Sequence, residues 1–324
     1  MKTIVYREPN YLVTDYYLDL IEQACAEIEY CETAHIISSC FKLYKMNAKN
    51  KYIYWIQGIA PEESFLRNHS RIRSFVISLI EKRAIKKANF FLFVSDYMRI
   101  HLERKYRIHF TEDSYYVMPC FNSKLDSGSF KIDRKYSDNI FAYVGSMASW
   151  QCVDAILNLY EKIETYGLKN CQLRIYTLDK EGALEKIKKH NIRNYIIASV
   201  QQEKMNEALS DVKYGFIIRE DIELNRVATP TKISNYLSNG VIPIYSECLQ
   251  SFHDYVKKAG LQYVIEEKEI CQKKFKEFED IDGSKVLEEY KKVFSDYYSE
   301  EYHRQNIKNK LEEYFNVFEQ EKNK

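Results

Sequence analysis

Short apolar runs rich in β-branched and aromatic residues recur along this 324-residue chain and alternate with stretches of helical periodicity. In the first part TIVYR, HIISS, KYIYWIQ, NFFLFVS and YYVMP read as strands, and helical patterns fall near 14–30, 71–88 and 96–106. Residues 122–139, NSKLDSGSFKIDRKYSDN, are polar and rich in Ser, Asp and Lys, which marks a linker. The same grammar then restarts with IFAYVG, LRIYT, YIIASV, YGFIIR, VIPIYS and QYVIE as strands, and helices near 153–166, 181–190, 203–210, 231–238 and 249–258. From residue 284 onward the pattern is helical, charged and tyrosine-rich. Such alternation predicts α/β architecture with parallel sheets. The expected organisation is an α/β domain over 1–121, the linker over 122–139, a second α/β domain over 140–283 and C-terminal helices over 284–324. Ligands of open parallel sheets bind beyond the carboxyl ends of the strands, so a cleft between two such domains is the natural site.

Composition removes several classes. Hydrophobic residues make up 45% and charged residues 29%, an ordinary globular balance, and a net charge of +1 gives no argument for nucleic acid. The start, MKTIVYREPN, lacks a signal-peptide apolar run, and no 18 apolar residues follow one another, so a cytoplasmic protein is expected. Eight cysteines without a C-x-x-C pair and seven dispersed histidines predict reduced thiols and no structural metal. Nine glycines without a single G-x-G leave neither a dinucleotide fingerprint nor a Walker loop, and G-x-S-x-G is absent too. Aromatics reach 15%, 28 of them tyrosine, which suits carbohydrate, interfaces or core packing alike. Charge is uneven. Residues 67–107 carry eleven Lys/Arg against three Asp/Glu, interleaved with SFVISLI and NFFLFVS. Either these are solvated helix faces around a core strand, or they form a basic surface for anionic lipid headgroups or a phosphorylated acceptor.

Four segments carry candidate chemistry. In RVATPTKISNYLSNGVIPIY, residues 226–245, Thr229 is a candidate N-cap and Pro230 fits the first helical position. The free amides of Thr231, Lys232 and Ile233, with Arg226 and Lys232 beside them, would make an anion site. In YVGSMASWQ, Gly145 and Ser146 follow a strand where a ligand can approach the backbone, and Trp150 and Gln151 follow in turn. The strand YGFIIR ends at Arg219. In YWIQGIAPEESF, the strand ends at Gln57 and Gly58 before a loop with Glu62 and Glu63, and in VSDYM Ser95 is a candidate N-cap.

At these residues the chain resembles bacterial glycosyltransferases of family 4 type. PTKISNYLSNGVIPIYS is similar to their P-x-K-x-x-E-Y-L-x-x-G-x-P-V-I signature, and REDIELNRVATPTK to the R-x-x-x-x-x-N-R-V-A-S-P-x-K run of one polysaccharide-synthesis branch. YVGSMASWQ resembles that branch's glycine loop, and WIQGIAPEE, the helix with Glu81 and FLFVSDYM resemble its acceptor-domain segments. The likeness spans residues 50–245, with 225–243 as its specific part. It implies a GT-B fold, in which two Rossmann-like parallel-sheet domains face a central cleft and C-terminal helices cross back. It implies transfer of a sugar from a nucleoside diphosphate sugar to a glycan or lipid-linked glycan, with retained configuration; Arg226, Lys232 and the helix amides at the departing phosphates would make a metal cofactor unnecessary. Arg226 and Lys232 would be catalytic, acting on the departing diphosphate. Gly145, Ser146, Trp150, Gln151, Arg219, Asn225, Thr229, Pro230, Thr231 and Asn235 would bind the donor; Gln57, Gly58 and Glu62 would lie on the acceptor side. Where the family has two glutamates eight apart, this chain has Val227 and Asn235. Asn235 motivates one alternative, a catalytically inactive nucleotide-sugar-binding homologue in an assembly complex; a second alternative is a GT-B sugar-nucleotide epimerase.

Overall fold

A computed structural model describes residues 1–8, 12–29 and 32–322. Along the chain lie β1 (Lys2–Tyr6), α1 (Leu12–Ala26), β2 (Thr33–Ile37), α2 (Cys40–Lys45), β3 (Lys51–Ile56), α3 (Ala60–Asn68), α4 (Arg71–Ile85), β4 (Phe90–Phe93), α5 (Asp96–Tyr106) and β5 (Tyr115–Val117). These are followed by β6 (Ile140–Val144), α6 (Val153–Glu164), β7 (Gln172–Tyr176), α7 (Lys180–Ile187), β8 (Tyr195–Ala198), α8 (Met205–Leu209) and β9 (Tyr214–Ile217). The remainder comprises α9 (Glu223–Arg226), α10 (Lys232–Ser238), β10 (Ile242–Tyr245), α11 (Gln250–Ala259), β11 (Ile265–Glu266), α12 (Gln272–Glu277), α13 (Gly283–Val293) and α14 (Glu300–Lys322). All eleven expected strands are present. Contacts group the chain into two units, Met1–Cys120 with Arg226–Thr229 and Ser295–Lys324, and Phe121–Asn225 with Pro230–Phe294.

The first unit is built on a parallel sheet in the order β1-β2-β3-β4-β5. Its middle strands, KYIYWI and FFLF, are almost wholly buried, as expected where both faces of a parallel sheet are covered. Ser70 and Ser95 cap α4 and α5, their hydroxyls accepting from the amides of Arg73 and Met98. The segment read as a loop around Glu62 and Glu63 is instead the helix α3. Pro61 at its start needs no amide partner, two glutamates fill its first turn, and His69 ends it in a left-handed conformation. Helix α14 packs on α1 and β5 through His303, Ile307, Leu311 and Phe315, a buried stripe at four-residue spacing in a polar sequence. The C-terminal segment thus divides between the units: α13 belongs to the second and α14 to the first.

The second unit carries a parallel sheet in the order β11-β10-β9-β6-β7-β8. From β6 the chain builds outward in one direction through β7 and β8, and from β9 outward in the other through β10 and β11. The order therefore reverses between β6 and β9, and the crevice above the ends of these strands is where open α/β sheets bind ligands.

The 122–139 stretch read as a linker is packed onto this unit. It buries Phe130, Lys135 and Tyr136. Lys135 Nζ donates to the carbonyls of Ser210 (2.7 Å) and Asn239 (2.5 Å), which sit at the C-terminal ends of α8 and α10. Lys213 Nζ donates to Tyr136 O (2.6 Å), and Tyr136 Oη to Gly240 O (2.9 Å). Lys135 and Tyr136, which look like solvated linker, are hydrogen-bonded to backbone carbonyls, which satisfies both partners. Burial lowers the Lys135 pKa to about 7. Among the described cysteines none is in a disulfide, and Cys31 lies outside the described residues.

Candidate functional site

The site in the second unit is assembled at the reversal between β6 and β9. Strand β6 runs directly into Gly145, whose amide donates to Tyr176 O (3.0 Å) and whose φ of +147° is open only to glycine at low cost. The chain then makes a short 3₁₀ turn, Ser149–Gln151, before α6. Strand β9 ends two residues before Arg219. Helix α10 is keyed onto both strands by Tyr236, whose ring lies against Gly215, so that a Cβ there would meet it at 2.5 Å. The Tyr236 hydroxyl accepts from Val144 N (3.2 Å). This places Lys232, the first residue of α10, over the Gly145 turn.

Two cations meet on one neutral oxygen. Lys232 Nζ donates to Gln151 Oε1 at 2.6 Å, and Arg219 Nη2 donates to the same atom at 2.7 Å. Arg219 Nη1 also reaches Ile218 O (2.9 Å), and the Lys232 ammonium lies 4.6 Å from the centre of the Tyr143 ring. Tyr143 Oη donates to Ser146 O at 2.6 Å, which shapes the turn. Among the described residues neither Arg219 nor Lys232 has a carboxylate partner. Arg219 is 8% exposed, and burial lowers its pKa. Lys232 is pushed well below the usual lysine range, by burial first and by Arg219 second. Buried charges are normally paired, because removing them from water is costly. Two cations without a counter-charge fit a dianion such as a diphosphate. Arg219 also walls a cavity of about 660 Å³ with Ser246, Glu247, Cys248, Glu266 and Glu267.

The other candidates separate into groups. Ser146 is exposed beside the turn, and Trp150 is half-buried within it. Thr229 is not the N-cap: α10 starts at Lys232, with Thr231 in the cap position and no side-chain cap bond. The Thr229 hydroxyl instead accepts from Cys120 N (2.9 Å), and Pro230 O accepts from Ile233 N (3.0 Å), which delays the helix. Arg226 and Thr229 group with the first unit, Lys232 with the second; within the second unit Arg219 is the cation that joins Lys232. Asn225 is buried, its amide donating to Glu220 O (2.9 Å), so it closes its own loop. Asn235 Oδ1 accepts from the Ser123 hydroxyl. In the first unit Gln57 is exposed and donates to Thr14 Oγ1 (3.5 Å). Glu62 accepts from Lys105 (2.7 Å) and faces His101 (3.4 Å), and these partners outweigh burial to hold its pKa below the usual carboxylate range. Tyr143 and Tyr236 were not among the sequence candidates. Both sit in apolar runs, where an aromatic reads as core.

No family model and no curated protein sequence matches the chain. Solved structures do match. A TarM variant from S. aureus, in complex with fondaparinux, α-GlcNAc-glycerol and UDP, aligns over 95% of this chain and 58% of its own at TM-score 0.59 and 15% identity. WaaG, a glycosyltransferase involved in lipopolysaccharide biosynthesis, aligns over 95% of this chain and 99% of its own at TM-score 0.60 and 11% identity. The chain has the GT-B fold. A UDP-forming α,α-trehalose-phosphate synthase from Burkholderia xenovorans shares it, over 96% of this chain and 80% of its own at TM-score 0.54 and 11% identity. The chain spans less than two thirds of the length of TarM. The two parallel sheets anticipated from the alternating pattern are the GT-B pair, and the Arg219–Lys232 site stands at the strand reversal of the second.

Proposed function

We propose that the chain is a glycosyltransferase that moves a sugar from a nucleoside diphosphate sugar to a glycan or lipid-linked glycan in surface polysaccharide synthesis. The observation that carries this reading is the convergence of Arg219 and Lys232 on Gln151 Oε1 without a carboxylate. Departure of the donor's diphosphate builds negative charge on the bridging oxygen while an oxocarbenium-like sugar forms. Fixed cations aimed at that oxygen stabilise the transition state more than the ground state. Gly145 allows the phosphates to approach the backbone beneath Lys232. With two side-chain cations in place no metal cofactor is invoked. Retention of configuration follows the family resemblance, with the departing phosphate taking the acceptor proton and no side-chain base assigned. TarM with UDP and WaaG in lipopolysaccharide synthesis support the donor class and the pathway type.

The reading includes a peripheral position at the inner face of a membrane. No helix among the described residues is long and apolar enough to cross one. Helix α4 nonetheless exposes Ile72 (80%), Phe75 (64%), Val76 and Leu79 on one face, at i, i+3, i+4 and i+7, with exposed Arg71, Arg73, Arg83 and Lys86 around them. An apolar stripe fringed by cations fits an anionic bilayer surface.

Thermal shift with UDP, GDP, ADP and CMP against the bare nucleosides tests the donor site. Release of nucleoside diphosphate from a mixed nucleotide-sugar pool tests turnover. No stabilisation by any nucleoside diphosphate sinks the reading. Diphosphate binding without turnover favours the inactive homologue, for which Asn235 in place of a glutamate is the motive. A converted sugar nucleotide without acceptor favours an epimerase.

A further inference from the structure

The first unit holds a second built pocket, at the carboxyl ends of β2 and β3. Its volume is about 180 Å³, the size of one sugar ring rather than a chain of them. Its wall includes the carboxylates of Glu63 and Glu81, the Ser38 hydroxyl, the Gln57 amide and the Tyr54 phenol, and no lysine or arginine. Three of these groups have polar atoms to spare. Tyr54 is 3% exposed, and its hydroxyl has no hydrogen-bond partner among the described residues. Glu81 is 2% exposed; its Oε2 accepts from Tyr106 Oη (2.5 Å) and Lys105 Nζ (3.2 Å), and its Oε1 has no partner among the described residues. Among the described residues the one ion-pair partner of Glu63 is Arg67, at 4.0 Å and on Oε2. Lys105 is shared between Glu62 and Glu81, so one ammonium serves two carboxylates.

The Tyr54 phenol and the Glu81 carboxylate, on side chains that are almost wholly buried, each bring an oxygen without a partner to this pocket. Glu63, whose side chain is 38% exposed, adds a second carboxylate, and a ligand that supplies donors would satisfy them. Such a wall repels anions. A neutral polyol would satisfy the hydroxyls but leave the carboxylate charge unanswered. We infer that this pocket binds a hydroxylated ring bearing a protonated amine, an amino sugar with its nitrogen free, with the ammonium between Glu63 and Glu81 and a ring oxygen or hydroxyl on Tyr54. The raised pKa values of Glu63 and Glu81, set chiefly by burial, are what an incoming cation would reverse. Taking this ring as part of the acceptor rests on the glycosyl-transfer reading; the binding itself does not. Gly58 controls the position of the charge, because a Cβ there would lie 2.3 Å from Glu63 Oε1, at the far end of a flexible side chain that can move away.

The test is calorimetric or saturation-transfer titration of the full chain with D-glucosamine, D-glucose and N-acetyl-D-glucosamine. Glucosamine should bind about tenfold more tightly than either neutral sugar, the step from a neutral to a charge-assisted hydrogen bond. Glu63→Gln should remove that preference, and Gly58→Ala, which keeps the charge but displaces it, should weaken it. Tyr54→Phe should weaken glucosamine and glucose alike. The response to UDP, measured in the same variants, should stay at the parent's level and reports separately on the donor site. Equal affinity for the three sugars, no binding of glucosamine, or binding untouched by Glu63→Gln would each overturn the assignment, whatever UDP does.

Discussion

Replacing Lys232 by methionine separates a ligand-binding charge from a structural one, because the two predict different effects on stability with and without ligand. Lys232 Nζ and Arg219 Nη2 each lie within 2.7 Å of one oxygen, so they are no more than about 5 Å apart. At an effective dielectric of about 20 the repulsion of two full charges there is about 3 kcal/mol. The lowered Lys232 pKa relieves part of it. Methionine keeps the length and packing, removes the repulsion and forfeits one hydrogen bond to Gln151, worth about 1.5–3 kcal/mol. The terms nearly cancel, and the unliganded variant should melt within about 1 kcal/mol of the parent. Diphosphate binding has no such compensation. UDP at about 100 times its dissociation constant stabilises the parent by roughly 2.7 kcal/mol. Loss of a charge-assisted phosphate bond weakens affinity by about 10- to 150-fold, and the same UDP concentration then adds only about 0.3–1.4 kcal/mol. Thermal melts with and without UDP read both quantities, with Lys82→Met on α4 as a charge-matched control. A variant that is strongly destabilised alone but keeps the full UDP shift would refute the reasoning, since Lys232 would then serve only to hold Gln151.

Gly145→Ala brings a Cβ to 2.8 Å from Lys232 Nζ at a φ of +147°; it should cost about 1–3 kcal/mol of stability and most of the UDP shift in the same melts. Asn235→Glu should keep the fold, since a carboxylate can still accept from Ser123, and should tighten nucleotide-sugar binding by up to about tenfold; calorimetry showing weaker binding would mean the amide is matched to the donor. The parent should float with anionic vesicles and release as salt rises past about 0.1 M, and Ile72→Glu with Phe75→Glu should abolish this; equal recovery on neutral vesicles sinks the membrane assignment. His303 accepts from Tyr116 Oη (2.8 Å) and donates to Tyr297 O (3.0 Å), and burial lowers its pKa to about 4. Between about pH 6.5 and 4 the unfolded chain takes up a proton that the folded one refuses, so stability is present above that window and falls by about 3 kcal/mol as pH drops through it. His303→Asn should flatten that acid limb in denaturant titrations, and an unchanged slope would contradict the burial argument.

Periodicity was enough for every strand, because a buried parallel strand is a short continuous apolar run whatever surrounds it. It missed α2, α3, α9 and α12, of four to nine residues, which are too short to show a helical period. The polar stretch around Lys135 and Tyr136 looked solvated because sequence does not say that backbone carbonyls wait to receive an ammonium. Gly145, Gln151, Arg219 and Lys232 were each legible as residues just beyond a strand or at a helix start. Their meeting was not, since Gln151 lies 68 residues from Arg219 and 81 from Lys232. The alternation of elements, and with it two parallel sheets, can be read locally because side-chain burial has the period of the local backbone. Which cations share an oxygen cannot. That follows from the reversal of strand order between β6 and β9 and from Tyr236 seated on Gly215, which are long-range contacts that no local period encodes.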